Sequence, residues 1–115
     1  MAESVGLSWL SRSVIAPLYE MECPEAVFEI CTIGLVGEDL PVQEVAIHGF
    51  GLLANTEKQE EALQQLLPLV SSDRWEIRLR VAHSLRKFDN PQARAAVSYL
   101  AKDRDHRVVA ATLNF

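Results

Sequence analysis

The sequence predicts an all-α fold: an α-solenoid of about three stacked helical hairpins behind an N-terminal cap helix. Three observations carry this. A unit of roughly thirty residues recurs, clearest in ALQQLLPLV–SSDRW–EIRLRVAHSLRKF from Ala62 to Phe88. Shifted forward by 31, Leu66, Leu69, Ile77, Val81 and Ala82 fall on Val97, Leu100, Val108, Thr112 and Leu113. Shifted back by 35, Ile77, Val81, Ala82, Leu85 and Phe88 fall on Val42, Ala46, Ile47, Phe50 and Leu53. A repeat of this period means one helical hairpin stacked on the next, each too small to bury its apolar face alone. Finally, Thr, Ile and Val never alternate over five residues between turn signals, so no strand is expected.

The elements follow in order. Val5, Trp9, Leu10 and Val14 recur at helical spacing and predict a helix over about 4–15, which Pro17 cannot continue unkinked. Pro24 suits the first position of the next helix, where its missing N–H is harmless, and Glu25 suits the positive helix end. That helix runs to about Leu35 and stops at Gly37. Asp39 is placed to cap a helix through Leu53, with Pro41 in its first turn. Gly49 and Gly51 inside that helix cost stability, about 1 kcal/mol each, and so point to a close backbone neighbour or a bend. Thr56 with Gln59 fits a capping box for a helix through Leu69. Asp73 is expected to cap a helix from Arg74 to Phe88. Asn90-Pro91 opens a helix to about Lys102, and Asp103 or Asp105 caps the last one, giving seven helical segments.

At 115 residues the chain is one domain with enough length for a single core. Its apolar fraction, 49%, is spread too evenly for a bilayer span. MAESVGLSWLSRS lacks a basic leader followed by a smooth apolar run, which argues against a signal peptide. Cys23 and Cys31 are too few for a disulfide framework. About two helical turns separate them, roughly 12 Å, beyond disulfide reach. Both are read as reduced thiols of a cytoplasmic protein, with Cys31 in the core. The net charge of −5 is unevenly spread: residues 1–70 carry −9 and residues 71–115 carry +4. A basic end of this kind can steer an acidic partner, or meet the acidic half of a second copy.

The pattern D-x-W-x-I-R-x-x-V-A-x-x-L from Asp73 to Leu85, after A-L-x-x-L-L-P-L-V from Ala62 to Val70, resembles the HEAT-repeat family. It is closest to the short bacterial HEAT-like repeats that include those of phycobilin lyase subunits. The resemblance implies a single domain over 1–115, with a cap helix at 4–21 and repeats at about 24–54, 57–88 and 91–115. The family places an Asp in the turn and an Arg in the second helix, forming a ladder between units. Asp73 and Arg78 match. The first unit has Asp39 but Gln43, and the third has Asp105 but Val109, so the ladder is expected to be broken. The resemblance further implies first helices outside and second helices lining a concave face that grips proteins or, in some members, nucleic acid.

Candidate binding residues follow from the repeat register. His48 and His83 share one repeat position, which Asn114 takes in the third unit, so they should form a polar row across neighbouring second helices. Two imidazoles are fewer than a zinc site needs, and no metal or other cofactor is expected. Arg80, His83 and Lys87 lie with Glu76 on one side of the middle unit's second helix, away from Ile77, Val81 and Leu85, with Arg74, Arg78 and Arg86 around them. Such cations suit phosphate or an acidic protein segment. Trp75 and Arg107 complete the set, Trp75 either as an interface anchor or packed over the neighbouring hairpin. There is no Gly-rich phosphate loop, Gly-x-Ser-x-Gly elbow or paired acid and base. The expectation is a non-enzymatic protein-binding module that uses the concave face of the solenoid: an adaptor, an assembly factor, or an inhibitor or immunity-type protein. A phycobilin-lyase-like accessory or lyase subunit is the alternative. Nucleic-acid binding ranks lower, because the acidic half opposes it. The last helix is expected to expose Val108, Val109, Ala110, Ala111, Leu113 and Phe115, an uncovered end open to self-association.

Overall fold

A computed structural model of the chain describes residues 23–113. The expected helix at 4–15, the cap at 4–21, and Asn114 and Phe115 lie outside the described residues. Six α-helices and one 3-10 segment follow: α1 Pro24–Val36, α2 Leu40–Leu52, α3 Gln59–Leu66, the 3-10 segment Leu67–Ser71, α4 Trp75–Leu85, α5 Pro91–Leu100 and α6 His106–Leu113. Among the described residues there is no strand. The helices pair as three hairpins, α1–α2, α3–α4 and α5–α6. The second helices pack consecutively, α2 on α4 and α4 on α6, as stacked hairpins require.

Local chemistry explains most of the boundaries. Pro24, Pro41 and Pro91 sit in the first turns of α1, α2 and α5, where no intrahelical donor is lost. Asp39 accepts from the Val42 N–H and Asn90 from the Ala93 N–H at 2.9 Å, so each caps its helix. Of the two candidates for α6 the cap is Asp105, whose carboxylate accepts from the Arg107 N–H at 2.9 Å.

Two expected caps are not made. Asp73 is exposed, and α4 starts two residues later without a side-chain cap. Ser72 accepts from the Arg74 N–H instead. The Thr56–Gln59 capping box is also absent. Thr56 Oγ1 donates to the Leu53 carbonyl and accepts from the Lys58 N–H, which closes a turn ahead of α3. Nor does α3 reach Leu69. Pro68 removes an N–H and crowds the carbonyl four residues back, so the chain tightens into the 3-10 segment from Leu67.

The core is continuous across all three hairpins. Ala46, Ile47, Phe50 and Leu53 from α2 and its end join Leu63 and Leu66, then Ile77, Val81 and Leu85, then Leu100 and Val108. Leu69 and Val97 are half-buried against this cluster, and Val42 is buried beside it. Phe28 meets Phe50 edge to face, with ring centroids 5.7 Å apart, a favoured aromatic geometry. Cys31 is buried, and burial pushes its thiol up to about 12.

Of the two glycines inside α2, Gly51 is explained by a close neighbour. A Cβ built on Gly51 would stand 2.7 Å from Ser84 Oγ and 3.1 Å from Ser84 Cα. At that contact Ser84 donates to the Ile47 carbonyl at 2.8 Å. Thus α2 and α4 touch nearly backbone to backbone at their C-terminal ends.

The last helix is less open than expected. Val108, Ala111 and Thr112 of α6 are buried, and Val109 is half-buried. They pack against α4 and α5, so the exposed apolar surface of α6 reduces to Ala110 and Leu113, the latter 67% exposed.

Candidate functional site

The seven candidate residues divide into two groups. His48 on α2 and Arg80 and His83 on α4, with Lys87 just beyond α4, form one cluster on adjacent second helices. Burial lowers the His48 pKa first, and the charges of Lys87 and Arg80 lower it further. His83 is lowered likewise, by burial and then by Arg86, Arg80 and Lys87. Each imidazole therefore sits within the field of the same cations, which disfavours its charged form. Glu44 is the one acidic side chain paired in this cluster among the described residues, 4.0 Å from Arg80 Nε. Arg80 remains 49% exposed, and Lys87 and His48 are exposed. The helical period dictates this layout. Ile77, Val81 and Leu85 face inward, which leaves Arg80, His83 and Lys87 on the side toward α2 and solvent.

Arg74, Trp75 and Arg107 lie elsewhere, at the turn edge near the N-terminal ends of the second helices. Trp75 is half-buried against the core, and the Arg107 guanidinium stacks 3.5 Å from its ring centroid. Arg107 also holds Asp105 through Nε at 3.0 Å and Nη2 at 2.8 Å. Asp105 is held well below the usual carboxylate range, chiefly by these hydrogen bonds, and the Arg107 pKa is raised by the same pairing. Trp75 is thus covered on one face by an arginine from the next hairpin. Arg74 is exposed on the rim of a cleft of about 440 Å³, lined also by Leu35, Glu38, Gln43, Leu69, Ser72 and Ile77.

The ladder between units is present in one joint, and its acidic partner is Asp103. Arg78 is 4% exposed and Asp103 7%. Arg78 Nε donates to Asp103 Oδ2 at 2.8 Å and Nη2 to Oδ1 at 3.2 Å, while Nη1 donates to the Ser72 carbonyl at 2.7 Å. Asp103 also accepts from the Asp105 N–H at 2.9 Å. Burial raises the Asp103 carboxyl, but the Arg78 and Asp105 hydrogen bonds and the charges of Arg78 and Arg104 outweigh it and leave it below its ordinary value. The sequence pattern pointed to Asp73 and Asp105 for the turn aspartates; neither meets Arg78. The signal for Asp103 was in the register, since 31 residues separate it from Ser72, the residue whose carbonyl Arg78 holds. Gln43, 35 residues before Arg78, donates to the Gly37 carbonyl, 35 residues before Ser72. A glutamine performs the local half of the arginine's task, and among the described residues no acidic side chain of the next unit pairs with it.

Among the described residues no group of three or more metal-ligating side chains converges, and no helix is long and apolar enough to cross a membrane. No curated protein and no solved structure matches the chain. The family model for HEAT repeats matches residues 33–114, a span from the end of α1 past α6 that includes the Arg78 ladder. Three stacked hairpins, a shared core and that match make the chain a member of the HEAT-repeat family.

Proposed function

We propose that this protein is a non-enzymatic binding module that captures an acidic protein segment on its second-helix layer. HEAT repeats generally mediate protein–protein interaction, and the observation that carries the finer reading is the cationic pair Arg80 and Lys87 of the second hairpin, set beside the imidazoles His83 on α4 and His48 on α2. His48, Arg80, His83 and Lys87 converge from two hairpins, and Glu44 is the acidic side chain that pairs with Arg80. Arg80 on α4 and Lys87 just past its end are exposed cations on a fixed scaffold, placed to form charge-assisted hydrogen bonds with carboxylates. Arg74, Trp75 and Arg107 belong to a secondary rim, since Trp75 and Arg107 already satisfy each other. Two free thiols, Cys23 and Cys31, support placing the protein in the reducing cytoplasm. A second copy is one acidic partner this cluster can take, because residues 1–70 carry −9.

The charge-reversed variant Arg80→Glu/Lys87→Glu tests the proposal. Substitutions at exposed sites move stability by about 0.5 kcal/mol or less, so its melting temperature should stay close to wild type. Its recovery of the native partner in quantitative co-purification should fall at least about tenfold, the effect of losing roughly 1.4 kcal/mol. Any dimer seen by light scattering at low ionic strength should become monomer. Undiminished recovery by a folded variant moves the site off this layer.

A further inference from the structure

We propose that the joint between the first and second hairpins is a hinge, pinned at one end of the α2–α4 contact, while the joint between the second and third hairpins is locked. Flexing of the stack is thereby confined to one side of α4.

The two joints place different chemistry at equivalent positions. Across the second joint, Arg78 reaches Asp103 by two hydrogen bonds, Arg107 stacks on Trp75, and Arg86 Nη1 donates to the Ala111 carbonyl at 3.2 Å. These tethers run from the turn edge to the far ends of α4 and α6. The register carries Arg78 back to Gln43, and Asp103 back to Ser72. The rung of the first joint would be Gln43 and Ser72, a neutral pair. Among the described residues no hydrogen bond or ion pair links them. Both instead line the cleft of about 440 Å³ that separates the two turns. A cleft of about 430 Å³ lined by Leu85, Arg86, Val97 and Thr112 opens at the second joint as well, so the tethers across the joints, and not the space between them, set the two apart.

At the other end of the same helices the contact is tight. Gly51 admits Ser84 so closely that a side chain there would collide, and Ser84 is tied to the Ile47 carbonyl. Two helices held at their C-terminal ends and separated by a cleft at their N-terminal ends can change angle about the Gly51–Ser84 contact. The turn carrying Glu38 then moves against the turn carrying Asp73. Arg80 and Glu44, at 4.0 Å, lie between the pin and the cleft and form a loose strut.

Glu38, Asp73 and Arg104 occupy the same repeat position in the three turns, and all are exposed. Spin labels on the full chain at Glu38→Cys/Asp73→Cys report the first joint, and at Asp73→Cys/Arg104→Cys the second. Cys23→Ser removes the exposed native thiol, and Cys31 is buried and stays unlabelled. Pulsed electron–electron double resonance should give a wider distance distribution across the first joint than across the second, since a contact with fewer tethers opens at lower free energy. Adding Gln43→Arg/Ser72→Asp, which supplies the absent rung, should narrow the first distribution to the width of the second. Equal widths in the two parent pairs overturn the hinge, whatever the rung variant does. A first joint that stays wide in a folded rung variant overturns the missing pair as its cause.

Discussion

Arg78→Ala is expected to destabilise the domain by about 3–5 kcal/mol, the cost of leaving one partner of a buried ion pair uncompensated. Arg78 and Asp103 are almost wholly withdrawn from water, and the truncation strands the carboxylate together with the Ser72 carbonyl. Replacing both partners, as in Arg78→Met/Asp103→Leu, should recover much of the loss, because no charge is then left buried. The pair's contribution also has a definite pH window. The Asp103 carboxyl is held below its ordinary value in the fold, so its stabilisation is present above the unfolded value near 3.9 and is lost as pH falls through the folded one. Urea unfolding of wild type and variant should therefore converge in acid. A loss under about 1 kcal/mol at pH 7 is the outcome for an exposed pair and would show that this joint is not locked by it.

Phe50→Ala should cost a similar amount, about 3–5 kcal/mol, the range for emptying a large aromatic site. Phe50 is fully buried, meets Phe28 edge to face, and belongs to the cluster that runs through all three hairpins. Because that core is shared, thermal unfolding should stay a single transition shifted to lower temperature, rather than splitting into separate losses of the first hairpin and the rest. A split transition would mean that the first hairpin folds on a core of its own.

The core was legible in the sequence because burial repeats with the register. Ile77, Val81 and Leu85 and their counterparts in α2 must face inward for any hairpin to stack, and periodicity alone identifies them. The close approach at Gly51 was legible too, since two glycines inside a helix are costly without a neighbour that needs the space. The turns were read less well because their chemistry is degenerate. Asp103, Arg104 and Asp105 offer two carboxylates within three residues, and only the path of the chain after Leu100 decides which one caps α6 and which meets Arg78. Asp73 resembles a cap in sequence, yet Ser72 lies where the Arg74 N–H points. Pro68 was visible and its effect on the length of α3 follows from its missing N–H, but the apolar period through Leu69 masked it. Among the candidate site residues, the row of His48, Arg80, His83 and Lys87 follows from helical phase. The separation of Arg74, Trp75 and Arg107 does not, because it depends on an arginine from the next hairpin folding over the tryptophan.

The central claim is that His48 and His83, on successive second helices, share one cationic field with Arg80 and Lys87. Histidine titration by NMR of the intact protein tests it without a partner. Both imidazoles should titrate below the ordinary value near 6.5, as burial and these cations dictate. Their folded values lie below the unfolded one, so the stability they allow is whole above about pH 6.5 and declines as pH falls and protons favour the unfolded chain. In Arg80→Glu/Lys87→Glu both midpoints should rise together. Midpoints at or above the ordinary value in the wild type, or unmoved by the charge reversal, would contradict a shared cationic surface across α2 and α4.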